Sequence, residues 1–154
     1  MDDAQRRFLN VQLVISAVLN AAISALFVWL MFRGTTRIPL WGANGLAVDL
    51  IPTTFMISLA TGIALTLATR GAIASAKFDR RERRRRLPSN FFLRALVLAT
   101  GATVVLVPLS VLALALLGPA EWTYSAVMVF KIIYGVALGF IVTPIVVSAA
   151  MGDA

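Results

Sequence analysis

Two ionisable residues, Asp49 and Lys131, lie within or at the edge of long apolar stretches. A charged side chain at the centre of a bilayer costs about 2.5–3.5 kcal/mol on insertion scales, so such residues are rare and are functional candidates. Lys131 could reach the membrane surface along its flexible stem, pair with Asp49, be neutral, or meet an anionic ligand or a partner subunit. Pairing requires the second helix to begin near Gly45 rather than Leu50, because only the earlier start brings Asp49 to a similar depth.

Small and polar residues recur every four positions along three of the apolar stretches, which places them on one face of each helix. Small residues let helices approach closely, and polar ones hydrogen-bond across the contact or line a cavity. The small residues that we predict to pack helices together are Ala17, Ala21, Gly62, Gly135 and Gly139. The polar residues that we predict to join Lys131 and Asp49 in a substrate-binding site are Asn20, Ser24 and Ser58.

The chain contains no Cys and no His. Disulfides, thiol catalysis, His-bound zinc and Ser-His-Asp catalysis are therefore excluded. No Gly-rich phosphate-binding motif is present either. We predict no metal, no cofactor and no enzymatic activity.

The composition is that of a membrane protein: 60% of the residues are hydrophobic and only 14% are charged. Soluble domains average about 45–50% apolar and 25% charged residues. Four apolar stretches, at about 8–32, 46–69, 90–117 and 122–150, are each long enough to cross a bilayer. We predict an all-α fold, a single domain over 1–154 that forms an integral membrane bundle of four antiparallel transmembrane helices.

Lys and Arg residues near the ends of these spans predict their orientation. Eleven flank one side (Arg6, Arg7 and nine between 70 and 94), and two, Arg33 and Arg37, flank the other. The N- and C-termini and the basic loop 70–88 should therefore be cytoplasmic, in a plasma membrane and most simply the bacterial inner membrane. Besides setting topology, this loop could bind anionic lipid headgroups or an acidic partner. The residues concerned are Arg80, Arg81, Arg83, Arg84, Arg85 and Arg86. Nothing in the sequence indicates nucleic-acid binding.

The third span carries fewer polar residues, so we expect helices one, two and four to meet along their polar faces and the third to be peripheral. Ser89 should cap its N-terminus. Arg94 lies close to that cytoplasmic end, where its side chain can reach the surface.

The two halves of the chain resemble each other weakly. Each is an apolar hairpin whose second helix follows a tryptophan, Trp41 or Trp122, with Asp49 or Lys131 eight or nine residues later. This pattern is compatible with a parallel repeat about an axis along the membrane normal.

Two functions fit these features. The first is a small permease-like protein, a homo-oligomer, that binds or moves a hydrophobic or anionic small molecule beside Lys131. The alternative is a non-catalytic accessory or scaffold subunit of a larger membrane complex. The two differ in what Lys131 contacts, which is substrate and water in one case and an acidic group of a partner in the other.

Overall fold

The computed structural model of the chain describes residues 3–75 and 90–151. Its elements are α1 (Asp3–Phe32), β1 (Arg37–Pro39), α2 (Leu46–Ala74), α3 (Phe91–Leu117), β2 (Glu121–Thr123) and α4 (Tyr124–Ala150). The arginines of the basic loop lie outside the described residues. They are Arg80, Arg81, Arg83, Arg84, Arg85 and Arg86.

All four helices are long and apolar enough to cross a membrane. They contain 27 to 30 residues, which at about 1.5 Å per residue corresponds to roughly 40–45 Å. Large apolar side chains cover the outside of the bundle, while Lys131, Asp49 and Asn20 are buried inside it. Polar groups inside a largely apolar core, under an apolar exterior, suit a lipid environment. The predicted four-helix, all-α architecture is confirmed.

The helix boundaries decide where several polar residues lie. Gly45 is the N-cap of α2, so Asp49 is in its first turn. The cap of α3 is Asn90, whose Oδ1 accepts hydrogen bonds from the backbone N–H groups of Phe92 at 3.0 Å and Leu93 at 3.3 Å. The predicted cap, Ser89, lies outside the described residues.

The connectors α1–α2 and α3–α4 form a short antiparallel ribbon that the sequence did not predict. Ile38 pairs with Trp122 in the strands, and Ile38 is fully buried. Arg37 and Glu121 form an exposed salt bridge at 3.2 Å. The ribbon therefore joins the two helical hairpins at one end of the bundle, which we call the ribbon end.

The helices do not pack in chain order. α1 lies mainly along α4, α3 lies along α2, and α2 also contacts α4. The consecutive pairs α1–α2 and α3–α4 contact each other little. The expectation that helices one, two and four meet together is therefore only partly right. The third helix does expose most of its surface, yet it packs extensively on α2.

Two equivalent glycine contacts lie in the α2–α3 pair and the α1–α4 pair. A Cβ atom on Gly62 of α2 would lie 3.1 Å from the Cβ of Ala95 on α3. A Cβ atom on Gly139 of α4 would lie 3.2 Å from the Cα of Ala17 on α1. A Cβ atom at either glycine would fit only if the neighbouring helix moved by a few tenths of an ångström, so these close contacts favour glycine.

Polar contacts repeat in the same way one turn further along. Ser16 of α1 and Thr143 of α4 are hydrogen-bonded at 2.6 Å, and Arg94 of α3 donates to Thr66 Oγ1 of α2 at 3.2 Å. Thr143 follows Thr66 by 77 residues, as Gly139 follows Gly62. Arg94 follows Ser16 by 78 residues, as Ala95 follows Ala17. The two hairpins thus repeat in three dimensions, but with a different shift from the 81 or 82 residues of the tryptophan pattern.

Candidate functional site

The two ionisable residues singled out in the sequence form a buried ion pair. Lys131 Nζ lies 2.5 Å from Asp49 Oδ2, and the two side chains are 0% and 2% exposed. Lys131 also donates to Thr53 Oγ1 at 2.6 Å. The hydroxyl of Thr53 donates in turn to the backbone carbonyl of Asp49 at 2.8 Å, which leaves its lone pairs free to accept from the ammonium group. Of the four alternatives that the sequence leaves open for Lys131, the structure shows pairing with Asp49.

This pairing changes what Lys131 can do. Asp49 compensates its charge, so an anion could bind Lys131 only by displacing a carboxylate already at contact distance. A cavity beside Asp49, near Phe32 and Asn44, has a volume of about 70 Å³. That volume is well below the range of about 300–1,000 Å³ that is usual for small-molecule sites, so the space suits a few waters rather than a substrate.

A second polar contact lies about one helical turn further along α2 and α4. The hydroxyl groups of Thr54 and Tyr134 are hydrogen-bonded at 2.7 Å. Thr54 donates to the backbone carbonyl of Leu50 at 2.6 Å, so Tyr134 is the donor in this bond. The ring of Tyr134 stacks on Phe130 with centroids 5.8 Å apart. The sequence reading missed Tyr134, although its position three residues after Lys131 puts it on the same helix face.

A third polar contact lies near the middle of the bundle. Thr61 of α2 donates to Asn20 Oδ1 of α1 at 3.0 Å. Asn20, Ser58 and Gly135 each lie 11 or 12 residues, about 17 Å, from the helix end at the ribbon. At or within one turn of this level, Asn20 Nδ2, Ser24 Oγ and Ser58 Oγ are buried and have no hydrogen-bond partner within the described ranges. An unpaired buried polar group costs about 1–3 kcal/mol, so three of them call for an explanation.

Glycines set the spacing of α1 and α4 at this level. A Cβ atom on Gly135 would lie 2.6 Å from the backbone oxygen of Asn20 and would collide with Ser24 Oγ. The two helices therefore approach closely here, and Ala21, also predicted to pack helices, is half-buried on α1. Gly62 lies instead against α3, on the other side of the bundle.

A groove separates α1 from α2, because these helices contact each other little. It has a volume of about 260 Å³, and the polar residues that line it include Ser16, Asn20 and Thr61. Its remaining lining is mostly apolar: Ile15, Leu19 and Ile23 from α1, and Ala60, Ala64, Leu65 and Ala68 from α2. The groove combines apolar walls with a few buried polar groups, as small-molecule sites commonly do, and its volume lies just below their usual range of about 300–1,000 Å³.

The five residues predicted to form one substrate site thus do not form one cluster. Lys131 and Asp49 pair towards the ribbon end, Asn20 and Ser58 lie at mid-depth, and Ser24 lies one turn nearer the ribbon than Asn20. Asp49 and Ser58 are nine residues apart on α2, which corresponds to about 13 Å. The ion pair and the groove are therefore separate features, and only Asn20 of the five lines the groove.

Two arginines contact the helices at the opposite end of the bundle. Arg94 is 1% exposed and donates to Thr66, so the expectation that its side chain reaches the surface is wrong. Arg94 lies one turn from the N-terminus of α3, on the face that packs against α2, so its side chain meets Thr66. The guanidinium of Arg70 lies over the ring of Phe91 at 5.3 Å from the centroid.

Within residues 3–75 and 90–151, no group of three or more His, Cys, Asp or Glu side chains could hold a metal ion. Comparison with protein families, curated proteins and solved structures finds no match for this chain.

Proposed function

We propose that this chain is a small permease-like protein of the plasma membrane that binds a hydrophobic small molecule in the groove between α1 and α2. The observation that carries the proposal is the groove itself, at mid-depth, with Ser16, Asn20 and Thr61 among apolar walls. Substrate sites of membrane transporters commonly lie near the bilayer midplane, where the surrounding lipid chains carry no polar atoms.

The ion pair favours a hydrophobic ligand over an anionic one. Lys131 is neutralised by Asp49 and fully buried, and the adjoining cavity is too small for a substrate. The described residues that line the groove, in contrast, include no charged side chain. An anion there would lose its hydration without gaining a counter-charge, whereas an apolar molecule would lose little on leaving the lipid.

The polar atoms of the groove supply selectivity rather than most of the binding energy. Asn20 bridges α1 and α2 through Thr61, and its Nδ2 has no partner among the residues that the structure describes. The groove would select a ligand with one acceptor oxygen over a plain hydrocarbon. A small rearrangement of its amide would let Asn20 donate a hydrogen bond to that oxygen. Access is lateral from the bilayer, since the groove lies between two helices that barely touch.

Orientation and assembly belong to the same proposal. Both termini and the basic loop face the cytoplasm, on the strength of eleven Lys and Arg residues on that side against two on the other. The loop arginines contact anionic lipid headgroups. Four helices enclose little volume, so passage across the membrane would use a homo-oligomer.

Native mass spectrometry of the protein, released gently from the membrane in which it was made, tests the groove. The wild type should retain a lipophilic molecule of lower mass than a phospholipid. Ala64→Trp places an indole in the groove and should abolish that adduct. Leu67→Trp is the matched control, because Leu67 is on the same helix, is exposed and does not line the groove.

The proposal is wrong if the wild type carries no such adduct, or if Ala64→Trp retains it as well as Leu67→Trp does. Near-ultraviolet circular dichroism of both variants establishes that they fold alike. A lost adduct in a folded Ala64→Trp protein then reports on the groove rather than on stability.

A different occupant would support the second function, an accessory subunit of a larger membrane complex. Ala60, Ala64 and Ala68 are exposed and four residues apart, a surface that lets another helix approach closely. In that case the spectrum would show a second polypeptide in fixed ratio, and Ala64→Trp would release it.

A further inference from the structure

The indole of Trp122 has a buried nitrogen without an acceptor. Nε1 is covered, and no group in the described parts of the chain accepts a hydrogen bond from it. Its ring lies directly on Gly118, where a Cβ atom would be 2.5 Å from Cζ2. Because an indole nitrogen can only donate, a missing acceptor here leaves a polar group unsatisfied at the edge of the bundle.

A cleft adjoins this indole. It lies between α3 and α4 near the ribbon end, because these consecutive helices contact each other little. Its volume is about 270 Å³, and it is lined by Ala113, Leu117, Gly118, Phe130 and Trp122, with Ser110 and Leu114 completing the lining. Leu117, at its mouth, is 89% exposed. The cleft is therefore mostly apolar and open to whatever surrounds α3.

Depth decides which molecule can supply the acceptor. Trp122 stands in the ribbon, at the end of α3 and the beginning of α4, where a spanning bundle meets the headgroup region. Phospholipids carry their ester carbonyls between the headgroups and the acyl chains, and aromatic belts lie at this level. A lipid therefore brings an apolar chain to the cleft and an acceptor to the indole together.

We propose that the cleft between α3 and α4 holds one acyl chain of a diester phospholipid, whose ester carbonyl accepts a hydrogen bond from Trp122 Nε1. Nε1 is covered, so binding includes a turn of the indole towards the cleft. The contact with Phe130 is tilted, with centroids 6.1 Å apart and planes at 49°, and is the contact that such a turn would alter. This site is distinct from the α1–α2 groove, whose polar groups lie too deep for an ester carbonyl.

The test compares two lipids and two tryptophans. The purified protein is reconstituted in nanodiscs of diester phosphatidylglycerol or of its dialkyl-ether analogue, which has the same headgroup and chain length but no carbonyl. After a fixed series of detergent washes, native mass spectrometry measures the fraction of molecules that keep one lipid. Trp122→Phe removes the N–H and keeps a ring, while Trp29→Phe, at an exposed tryptophan on α1, is the control.

The wild type and Trp29→Phe should retain the diester lipid about fivefold better than Trp122→Phe does, since one hydrogen bond is lost. The wild type should show the same drop with the ether lipid, and this arm needs no mutation and no refolding. Equal retention of both lipids by the wild type, or of the diester lipid by Trp122→Phe, would overturn the proposal. Ala64→Trp should keep the lipid, so failure of the groove and failure of the cleft give different results.

Discussion

Replacing Lys131 by methionine removes one charge of the buried pair while keeping a long unbranched side chain. Asp49 would then be an uncompensated carboxylate whose side chain is 2% exposed. Removing one partner of a buried pair costs about 3–5 kcal/mol, because the remaining charge keeps its desolvation penalty. We expect a loss of that size in the free energy of unfolding, and a comparable loss for Asp49→Asn, which leaves Lys131 unpaired.

The double variant separates pairing from local packing. Lys131→Met together with Asp49→Asn removes both charges, and neutral replacement of a buried pair is often close to neutral in stability. We therefore expect the double variant to lie within about 1–2 kcal/mol of the wild type. The two single losses should not add, since the residues are in direct contact.

Unfolding by sodium dodecyl sulfate in mixed micelles, followed by near-ultraviolet circular dichroism, measures these free energies. Arg37→Met is the control, because the Arg37–Glu121 pair has exposed side chains and should contribute no more than about 1 kcal/mol. The reasoning fails if Lys131→Met costs less than about 1 kcal/mol, as an exposed lysine would. It fails equally if the two single losses simply add in the double variant. A folded double variant that still binds the groove ligand would show that the pair supports the bundle rather than the substrate.

Two further predictions concern packing and topology. Gly135→Ala should destabilise the bundle by about 1–3 kcal/mol, because its Cβ atom would meet Asn20 and Ser24, and SDS unfolding measures this loss. Gly101→Ala, with nothing within 4 Å of its Cβ, should be neutral or slightly stabilising, and equal losses for both would refute the close α1–α4 contact. The chain has no cysteine, so single thiols report topology: Thr36→Cys should react with an impermeant maleimide in intact cells, and Ser75→Cys only after lysis. The reverse pattern would contradict the proposed orientation.

The apolar stretches determine the number and type of the elements without help from tertiary structure. Each is long enough to span a bilayer, and a backbone in lipid must satisfy its own hydrogen bonds, so helices follow directly. The structure confirms four helices, with the start of α2 at Leu46 that the pairing of Asp49 and Lys131 requires. The unpredicted ribbon depends on two connectors meeting in space, which local patterns do not encode.

The arrangement of the helices was less predictable. Small polar faces recur on three helices, and they indicate that contacts form but not which helix is the neighbour. Gly62 faces Ala95 of α3, whereas Gly135 and Gly139 face α1. Arg94 is buried for the same reason, because α3 turns it towards Thr66 rather than towards the surface.

The sequence by itself determined that this chain forms four apolar helices. It also indicated that Asp49 and Lys131 are unusual charges within or at the edge of those helices. Hydrophobic length and the high cost of a charge in lipid are local properties, so they can be read residue by residue. Only the tertiary structure decided that the two charges neutralise each other and that the two larger spaces in the described part of the chain lie elsewhere, between α1 and α2 and between α3 and α4. A groove exists where two helices fail to pack, and packing depends on all the helices together.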